Sequence, residues 1–342
     1  MYCNIQILER IQVRIYDRYY IKMKIVAAEI DSVGNDISYE CLKKAGDITF
    51  YNDKITEANA SERLKDAEVL CINKTQITDA ILSAAPNLKL ICMFATGFDN
   101  ANVNACNLRG VKVANVKGYS TDSVAQHTFA LLFYLMEKLS YYDNFVRSGA
   151  YGKQDHFCIL DKPFNELAGK TYGIVGMGNI GKKVANIATA FGANVIFYAS
   201  SGHSDCTDYE QVSFDELLGR SDIISLHCPL TDKTMHLMND DAFDKMKPEA
   251  LLINVARGAV IDDDALYRAI TKGKITGAGI DVLAKEPIAD ENPLTRLYDF
   301  PNVVITPHMA WASVEARQRC VMEVAENIKA YESGDYRNIV NN

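Results

Sequence analysis

Short apolar runs alternate with helical patterns of hydrophobic and polar positions from Lys24 to about Ala114. Helical patterns such as Ile37–Lys44 and Asn102–Arg109 lie between the runs. The runs predict buried strands at Ile25–Ala28, Ile48–Tyr51, Val69–Ile72, Leu88–Phe94 and Val111–Ala114. Strand–helix repetition of this kind is typical of a parallel sheet that is covered on both faces.

A second strand–helix series follows the first. Residues 122–138 predict a long amphipathic helix, and residues 149–170, which include Pro163, predict a loop. The strands predicted after this loop are Thr171–Val175, Asn194–Tyr198, Asp222–His227, Ala250–Val255, Ile275–Ile280 and Val303–Thr306. Six strands with intervening helices match a dinucleotide-binding domain.

The last segment, Trp311–Glu332, predicts one long helix that is too short to form a domain. We expect it to fold back onto the first series, which makes that domain discontinuous. The predicted fold is therefore α/β, with two Rossmann-like, doubly wound parallel-sheet domains and an active-site cleft between them. The predicted parts are an N-terminal extension (1–22), a substrate-binding domain (23–119 plus 309–342) and a nucleotide-binding domain (120–308).

The composition is that of a soluble globular protein, with 342 residues, 48% hydrophobic and 23% charged. A net charge of −8 without basic clustering argues against nucleic acid as a partner. No apolar run is long enough to span a membrane. The nine scattered cysteines are odd in number and form no Cys-x-x-Cys, which favours reduced thiols in a cytoplasmic protein. No metal site is predicted.

A glycine-rich turn joins the first strand and helix of the second series. The segment Tyr172–Gly181 reads YGIVGMGNIG, so an apolar strand enters Gly-x-Gly-x-x-Gly and a helical pattern continues to about Phe191. In such turns the first glycine permits the turn, the second lets the backbone approach a pyrophosphate, and the third packs helix against strand. The predicted pyrophosphate contacts are Gly176, Gly178, Asn179, Ile180 and Gly181.

Reactive side chains follow three later strands of this series. Arg257 comes after one strand, the acids Asp281 and Glu286 follow the next, and His308 lies where the last strand meets the final helix. Ligands of such sheets bind at the carboxyl ends of the strands. A guanidinium can hold a carboxylate with two parallel hydrogen bonds, and an imidazole can both give and accept a proton near neutral pH.

Taken together, these motifs resemble the D-2-hydroxyacid dehydrogenase family. The glycine turn, Asn254–Gly258, Asp281–Pro287 and Thr306–His308 occur in the order and spacing of that family. Segments 118–128 and 307–312 most resemble its glycerate dehydrogenases, also called hydroxypyruvate reductases. The family implies a nicotinamide cofactor and hydride transfer to a 2-keto acid.

The resemblance also implies roles for particular residues. Arg257 would bind the substrate carboxylate and keto oxygen, His308 would be the acid/base at the C2 oxygen, and Glu286 would pair with His308. In the first domain Lys74 and the amides near Thr96 and Gly97 would help to hold the carboxylate. The remaining cofactor contacts implied are Ser200, Ser201, Cys228, Pro229, Thr234, Val255, Ala256 and, at the nicotinamide carboxamide, Asp281.

The chain departs from the family at the adenosine ribose. Members that use NAD usually carry an acid at the end of the second strand, and Ala199 occupies that position here. No arginine or lysine takes its place, so the sequence leaves NAD and NADP open.

The predicted function is reduction of a small 2-keto acid, with hydroxypyruvate or glyoxylate favoured, by a cytoplasmic NAD(P)-dependent enzyme. The resemblance implies a homodimer. A phosphoglycerate dehydrogenase, a reductase of larger 2-keto acids and, in another class, a non-catalytic dinucleotide-sensing protein remain alternatives.

Overall fold

The computed structural model describes residues 22–341, so the predicted extension (1–22) falls outside the described part except for Lys22. The chain divides into two compact units. One contains the described residues up to Tyr119 together with the chain from Val314 onward, and the other is Ser120–Ser313. Residues 309–313 lie in the second unit, because buried Asp281 accepts hydrogen bonds from the amides of Met309 and Ala310.

The first unit is built on a five-stranded parallel sheet with strand order β2-β1-β3-β4-β5. Strands β3 and β4 are buried at every position, since helices cover both faces of the sheet. The strands are Lys24–Ala27 (β1), Asp47–Phe50 (β2), Val69–Ile72 (β3), Leu90–Met93 (β4) and Lys112–Ala114 (β5). The helices are Ile30–Val33 (α1), Glu40–Ala45 (α2), Glu57–Arg63 (α3), Asp79–Ser83 (α4) and Val103–Leu108 (α5).

The long C-terminal helix, Val314–Glu332 (α12), completes this unit by packing on α2 and β4. Its buried stripe contains Ala316, Cys320, Val324 and Ile328. These residues are four positions apart and therefore lie on one face of the helix.

The second unit is a seven-stranded parallel sheet with strand order β12-β11-β10-β9-β6-β7-β8. Its strands are Thr171–Val175 (β6), Asn194–Tyr198 (β7), Glu210–Gln211 (β8), Ile223–Leu226 (β9), Leu251–Asn254 (β10), Gly277–Ile280 (β11) and Val303–Ile305 (β12). Its helices are Thr121–Met136 (α6), Leu139–Arg147 (α7), Asn179–Ala190 (α8), Phe214–Arg220 (α9), Asp240–Lys245 (α10) and Asp263–Thr271 (α11). The short edge strand β8 adds a seventh strand to the six that the sequence predicts.

The strand order of the second sheet reverses at β6. The chain proceeds outward to β7 and β8 on one side and through β9, β10, β11 and β12 on the other. Ligands of such sheets bind at this switch point, outside the carboxyl ends of the strands. The loops after β6 and β9 flank it.

The predicted α/β class with two parallel sheets is confirmed. Within residues 22–341, no helix is both long enough and apolar enough to cross a lipid bilayer.

Candidate active site

The three glycines after β6 have the distinct surroundings that a dinucleotide turn requires. Gly176 has φ of +97°, and a Cβ there would lie 2.8 Å from the amide nitrogen of Cys228. A Cβ on Gly181 would overlap the carbonyl oxygen of Gly176. At Gly178, by contrast, no described atom lies within 4 Å of a Cβ position. The open space at Gly178 is where a pyrophosphate would approach the backbone.

Helix α8 begins directly at this turn, with Gly178 as its N-cap. No side chain caps the helix, so its first amides, which include those of Asn179 and Ile180, remain available to an anion. The helix dipole favours negative charge at the same place. The predicted pyrophosphate contacts therefore form one surface that fits the group.

The loop after β9 lies against the glycine turn. Thr234 is buried, and its hydroxyl donates to the carbonyl oxygen of Pro229 at 2.7 Å, so it closes the turn that follows Cys228. Burial lowers the pKa of nearby His227 to about 3, which leaves this imidazole neutral. A neutral His227 beside the turn can contribute polar contacts, but it cannot serve as a proton donor at neutral pH.

The end of β7 has no carboxylate at the predicted ribose position. Ala199 is buried, and a tight turn follows in which the amide of Gly202 donates to the carbonyl oxygen of Ala199 at 2.8 Å. The hydroxyl of Ser201 donates to the carbonyl oxygen of His203 at 2.8 Å. Ser200 is half-buried beside it. This turn therefore presents small polar groups without a fixed charge.

Arg257 is held at the end of β10 by a buried asparagine. Asn254, fully buried, accepts from the amide of Ala256 at 3.0 Å and donates to the carbonyl oxygen of Arg257 at 3.0 Å. The guanidinium donates to the carbonyl oxygen of Ala256 at 2.8 Å. A Cβ on Gly258 would overlap the backbone of Leu283 and Ala284. The arginine turn therefore touches the loop that carries Glu286.

Glu286 and His308 form a direct pair. The Nδ1 nitrogen of His308 lies 2.7 Å from Oε2 of Glu286, and the amide of Leu283 donates to Oε1 at 3.0 Å. The two side chains are 32% and 25% exposed. Because the carboxylate accepts a hydrogen bond from Nδ1–H, the ring presents Nε2, which bonds to no other residue in the described range. One nitrogen of this imidazole can therefore exchange a proton.

Asp281 lies behind this pair and is almost fully buried. Its oxygens accept from the hydroxyl of Thr306 at 2.6 Å and from the amides of Met309 and Ala310, each at 2.9 Å. The Nε2 nitrogen of His127 lies 3.0 Å from the Thr306 hydroxyl. Burial raises the pKa of Asp281, but the hydrogen bonds from His127, Thr306 and these amides outweigh it, and the net pKa is lowered. Asp281 is an ionised anchor for the turn that carries His308.

The predicted substrate contacts of the five-stranded unit follow its neighbouring strands β3 and β4. Lys74 is exposed between the buried residues Asn73 and Thr75. The Thr96 hydroxyl donates to the carbonyl oxygen of Val116 at 2.7 Å. Among the described residues, nothing accepts from the amides of Thr96 and Gly97. These amides are therefore available to an anion.

Sequence reasoning placed Arg257, Glu286 and His308 at strand ends, and the structure pairs the last two directly. It missed the buried polar residues that hold them, namely Asn254 beneath Arg257 and Thr306 with His127 behind His308. Asn254 ends β10, Thr306 follows β12 and His127 lies within α6, and none of these positions reveals a hydrogen-bond partner in the sequence.

Comparisons with known proteins identify the family of this chain. Residues 129–310 match the family model described as "D-isomer specific 2-hydroxyacid dehydrogenase, NAD binding domain". The chain is 38% identical to glycerate dehydrogenase of Methylorubrum extorquens, over 85% of this chain and 90% of that one. It is 39% identical to glyoxylate reductase of Korarchaeum cryptofilum, over 82% and 84%.

One solved structure similar to this chain is the NADPH-dependent glyoxylate/hydroxypyruvate reductase of Sinorhizobium meliloti in complex with NADP and malonate. It has a TM-score of 0.80 and 26% identity, over 93% of this chain and 97% of that one. Fold, glycine turn and comparisons together define an NAD(P)-dependent oxidoreductase that acts on a CH–OH group. The chain belongs to the D-2-hydroxyacid dehydrogenase family, as the sequence predicts.

Proposed function

We propose that this enzyme reduces a small 2-keto acid, with hydroxypyruvate or glyoxylate favoured, to the D-2-hydroxy acid. The observation that carries the proposal is the 2.7 Å contact between His308 and Glu286 beside the arginine turn. Arg257 follows β10, Glu286 follows β11 and His308 follows β12, so all three lie at the edge where such sheets bind ligands. The similarity to glycerate dehydrogenase and glyoxylate reductase supports this choice of substrate.

In the proposed reaction each side chain has one task. The nicotinamide, when bound, supplies or takes up the hydride. Arg257 binds the substrate carboxylate and orients the keto oxygen. His308 donates the Nε2 proton to the C2 oxygen during reduction and takes it back during oxidation. Glu286 keeps Nδ1 protonated in both directions, so the same nitrogen always faces the substrate.

The other predicted contacts extend this proposal. Lys74 and the open amides of Thr96 and Gly97 bind the substrate carboxylate. Residues from Gly176 to Gly181 hold the pyrophosphate, while Cys228, Pro229, Thr234, Val255 and Ala256 line the cofactor. Oδ2 of Asp281 accepts only the amide of Ala310 in the described residues, which leaves a lone pair for the nicotinamide carboxamide.

An absorbance assay with NADH and NADPH tests the proposal. The substrates are hydroxypyruvate, glyoxylate, pyruvate, phenylpyruvate and 3-phosphohydroxypyruvate. We expect the first two to give the highest kcat/KM, and both cofactors to be accepted because Ala199 neither repels a 2′-phosphate nor binds the ribose hydroxyls. Preference for the phosphorylated acid favours a phosphoglycerate dehydrogenase, and preference for phenylpyruvate favours a reductase of larger acids.

The variant Arg257→Lys separates substrate binding from cofactor binding. Because lysine cannot make the forked contact, KM for the keto acid rises about tenfold or more while NADH affinity stays within about twofold. If the wild-type protein binds NADH but turns over no keto acid, the dinucleotide-sensing alternative replaces this proposal.

A homodimer is the proposed assembly. The segment after α7 exposes large apolar side chains, with Phe157 89% and Leu160 79% exposed. Such a patch is typical of a surface that another chain covers. Sedimentation velocity should give a dimer for the wild type and a monomer for Phe157→Ser with Leu160→Ser. A monomeric wild type at micromolar concentration contradicts this assignment.

A further inference from the structure

Glu29 is a buried carboxylate that takes no part in the proposed chemistry. It follows β1, is 2% exposed, and has a left-handed backbone with φ of +64°. Its amide donates to the carbonyl oxygen of Asp53 at 3.1 Å. A charged group in this environment, on a backbone that non-glycine residues rarely adopt, persists only where other interactions compensate.

The compensation comes from the loop after β3. Oε2 of Glu29 accepts from the amides of Asn73, Lys74 and Thr75 at 2.9, 2.9 and 2.8 Å, and Oε1 accepts from Lys74 at 3.1 Å. Consecutive amides that converge in this way form a concavity suited to an anion. Here the chain's own carboxylate fills it.

Asn100 holds the same loop from its carbonyl side. Its side-chain amide donates to the carbonyl oxygen of Thr75 at 2.7 Å and to that of Asn73 at 3.3 Å. Asn73 and Thr75 are buried, with 4% and 1% of their surface exposed, whereas Lys74 between them is exposed. The bonding pattern thus leaves Lys74 as the exposed residue of a fixed loop.

The neighbouring loop after β4, in contrast, has backbone amides that no carboxylate of the described chain accepts. The amides of Thr96 and Gly97 donate to nothing within residues 22–341. Two amide-bearing loops therefore follow adjacent parallel strands, and only one already contains an anion. A substrate carboxylate can use the amides after β4, while from the loop after β3 it can use only the lysine side chain.

We propose that Glu29 is a positioning residue for substrate binding: it fixes the Asn73–Thr75 loop so that Lys74 is presented to the substrate carboxylate. The inference rests on the proposed function, because the role of Lys74 is part of it. Glu29 itself touches neither substrate nor cofactor in this scheme. Its loss should therefore weaken keto-acid binding and leave the nucleotide site intact.

Hydrogen exchange measured by mass spectrometry tests the loop without any turnover. In Glu29→Ala we expect the amides of residues 73–75 to exchange about tenfold faster or more, because three hydrogen bonds to a charged acceptor are lost. The exposed carboxylate variant Glu62→Ala is the matched control and should exchange like the wild type. Unchanged exchange in a folded Glu29→Ala overturns the proposal.

Kinetics test the consequence for binding. Glu29→Ala should raise KM for hydroxypyruvate about tenfold, with a smaller change in kcat and NADH affinity within about twofold. Glu29→Gln, whose amide oxygen can replace Oε2 alone, should lie between wild type and alanine and decides the question if Glu29→Ala does not fold. In a Lys74→Ala background, Glu29→Gln should add no further increase in KM.

Two results contradict the inference: parallel loss of NADH affinity, or a full additional effect of Glu29→Gln in the Lys74→Ala background. Failure of the proposed keto-acid reduction gives a different result. A wild-type protein that reduces no keto acid removes the proposed function, whereas the exchange experiment still decides whether Glu29 holds the loop.

Discussion

Two imidazole–carboxylate pairs lie at the ends of adjacent strands in the seven-stranded unit, and their surroundings differ. His308 contacts Glu286 directly at 2.7 Å, and both side chains are a quarter to a third exposed. His127 is 3.4 Å from Asp281, whose side chain is fully buried. The hydroxyl of Thr306 stands between this second pair.

The hydrogen bonds of the two pairs explain what each can do. The Thr306 hydroxyl donates a hydrogen bond to Asp281, so its oxygen can only accept one from His127, and Nε2 of His127 must carry a proton. That nitrogen is therefore occupied by its hydrogen bond to Thr306. In the His308 pair the carboxylate occupies Nδ1 and leaves Nε2 for exchange. In the proposed reaction, therefore, the imidazole with an open nitrogen donates the proton, and the imidazole whose nitrogen is bonded anchors the turn.

The buried Asp281 also fixes the backbone conformation at His308. His308 has φ of +54°, a conformation that costs a non-glycine residue energy. Its amide donates to the backbone oxygen of Asp281 at 2.8 Å, and the Asp281 carboxylate holds the next two amides, of Met309 and Ala310. The buried pair therefore fixes the backbone from which the reactive imidazole extends.

The largest expected effect follows loss of the exposed pair. His308→Ala should lower kcat about 10³-fold, because it removes general acid–base catalysis, while NADH affinity stays within about twofold. Glu286→Gln should lower kcat less, since Nε2 remains in place. Stopped-flow turnover and NADH fluorescence titration measure the two quantities. The exposed His236→Asn serves as control, and equal losses in turnover and NADH affinity for His308→Ala contradict the assigned role.

Much of the scaffold could be predicted from the sequence, because buried strands carry a strong apolar signal. The bounds of Val69–Ile72, Thr171–Val175 and Asn194–Tyr198 coincide with β3, β6 and β7. Strand β8 was not predicted, since Glu210 and Gln211 are exposed and polar. The final helix begins at Val314 instead of Trp311, because the Trp311 indole bonds to the carbonyl oxygen of His308 and belongs to the preceding turn.

The candidate site was predictable only in part. Arg257, Glu286 and His308 lie at recognisable strand ends in segments that resemble a known family. Asn254 and Glu29 act through hydrogen bonds to the backbone of other residues. Such contacts join positions far apart in sequence or depend on a turn, and they leave no periodic pattern.

The next effect in size should follow Asp281→Asn, which breaks the buried pair. An amide in place of one oxygen leaves a buried backbone N–H without an acceptor, so the free energy of unfolding should fall by about 1–3 kcal/mol at pH 7. Since folding lowers the pKa of Asp281, the wild-type advantage exists above the ordinary value of 3.8 and declines as pH falls through the lower folded value. Denaturant unfolding at pH 7 and at lower pH measures both.

The control for Asp281→Asn is Asp205→Asn, because the side chain of Asp205 is 97% exposed. We expect no change in its unfolding free energy. In Asp281→Asn, kcat should also fall about 10- to 100-fold, since the His308 turn loses its anchor. Full stability at pH 7 together with full activity would show that the buried pair does not hold the turn.

The smallest effect should follow changes at His127. His127→Leu removes one neutral hydrogen bond to Thr306, so the unfolding free energy should fall by roughly 0.5–1.5 kcal/mol and kcat by less than tenfold. His127→Gln retains a nitrogen donor on a side chain of similar reach and should recover most of the loss. Steady-state kinetics and denaturant unfolding of both variants measure this. If kcat for His127→Leu were as low as that for His308→Ala, both imidazoles would exchange protons. That result would contradict the assignment of His308 as an exposed donor and His127 as part of a buried anchor.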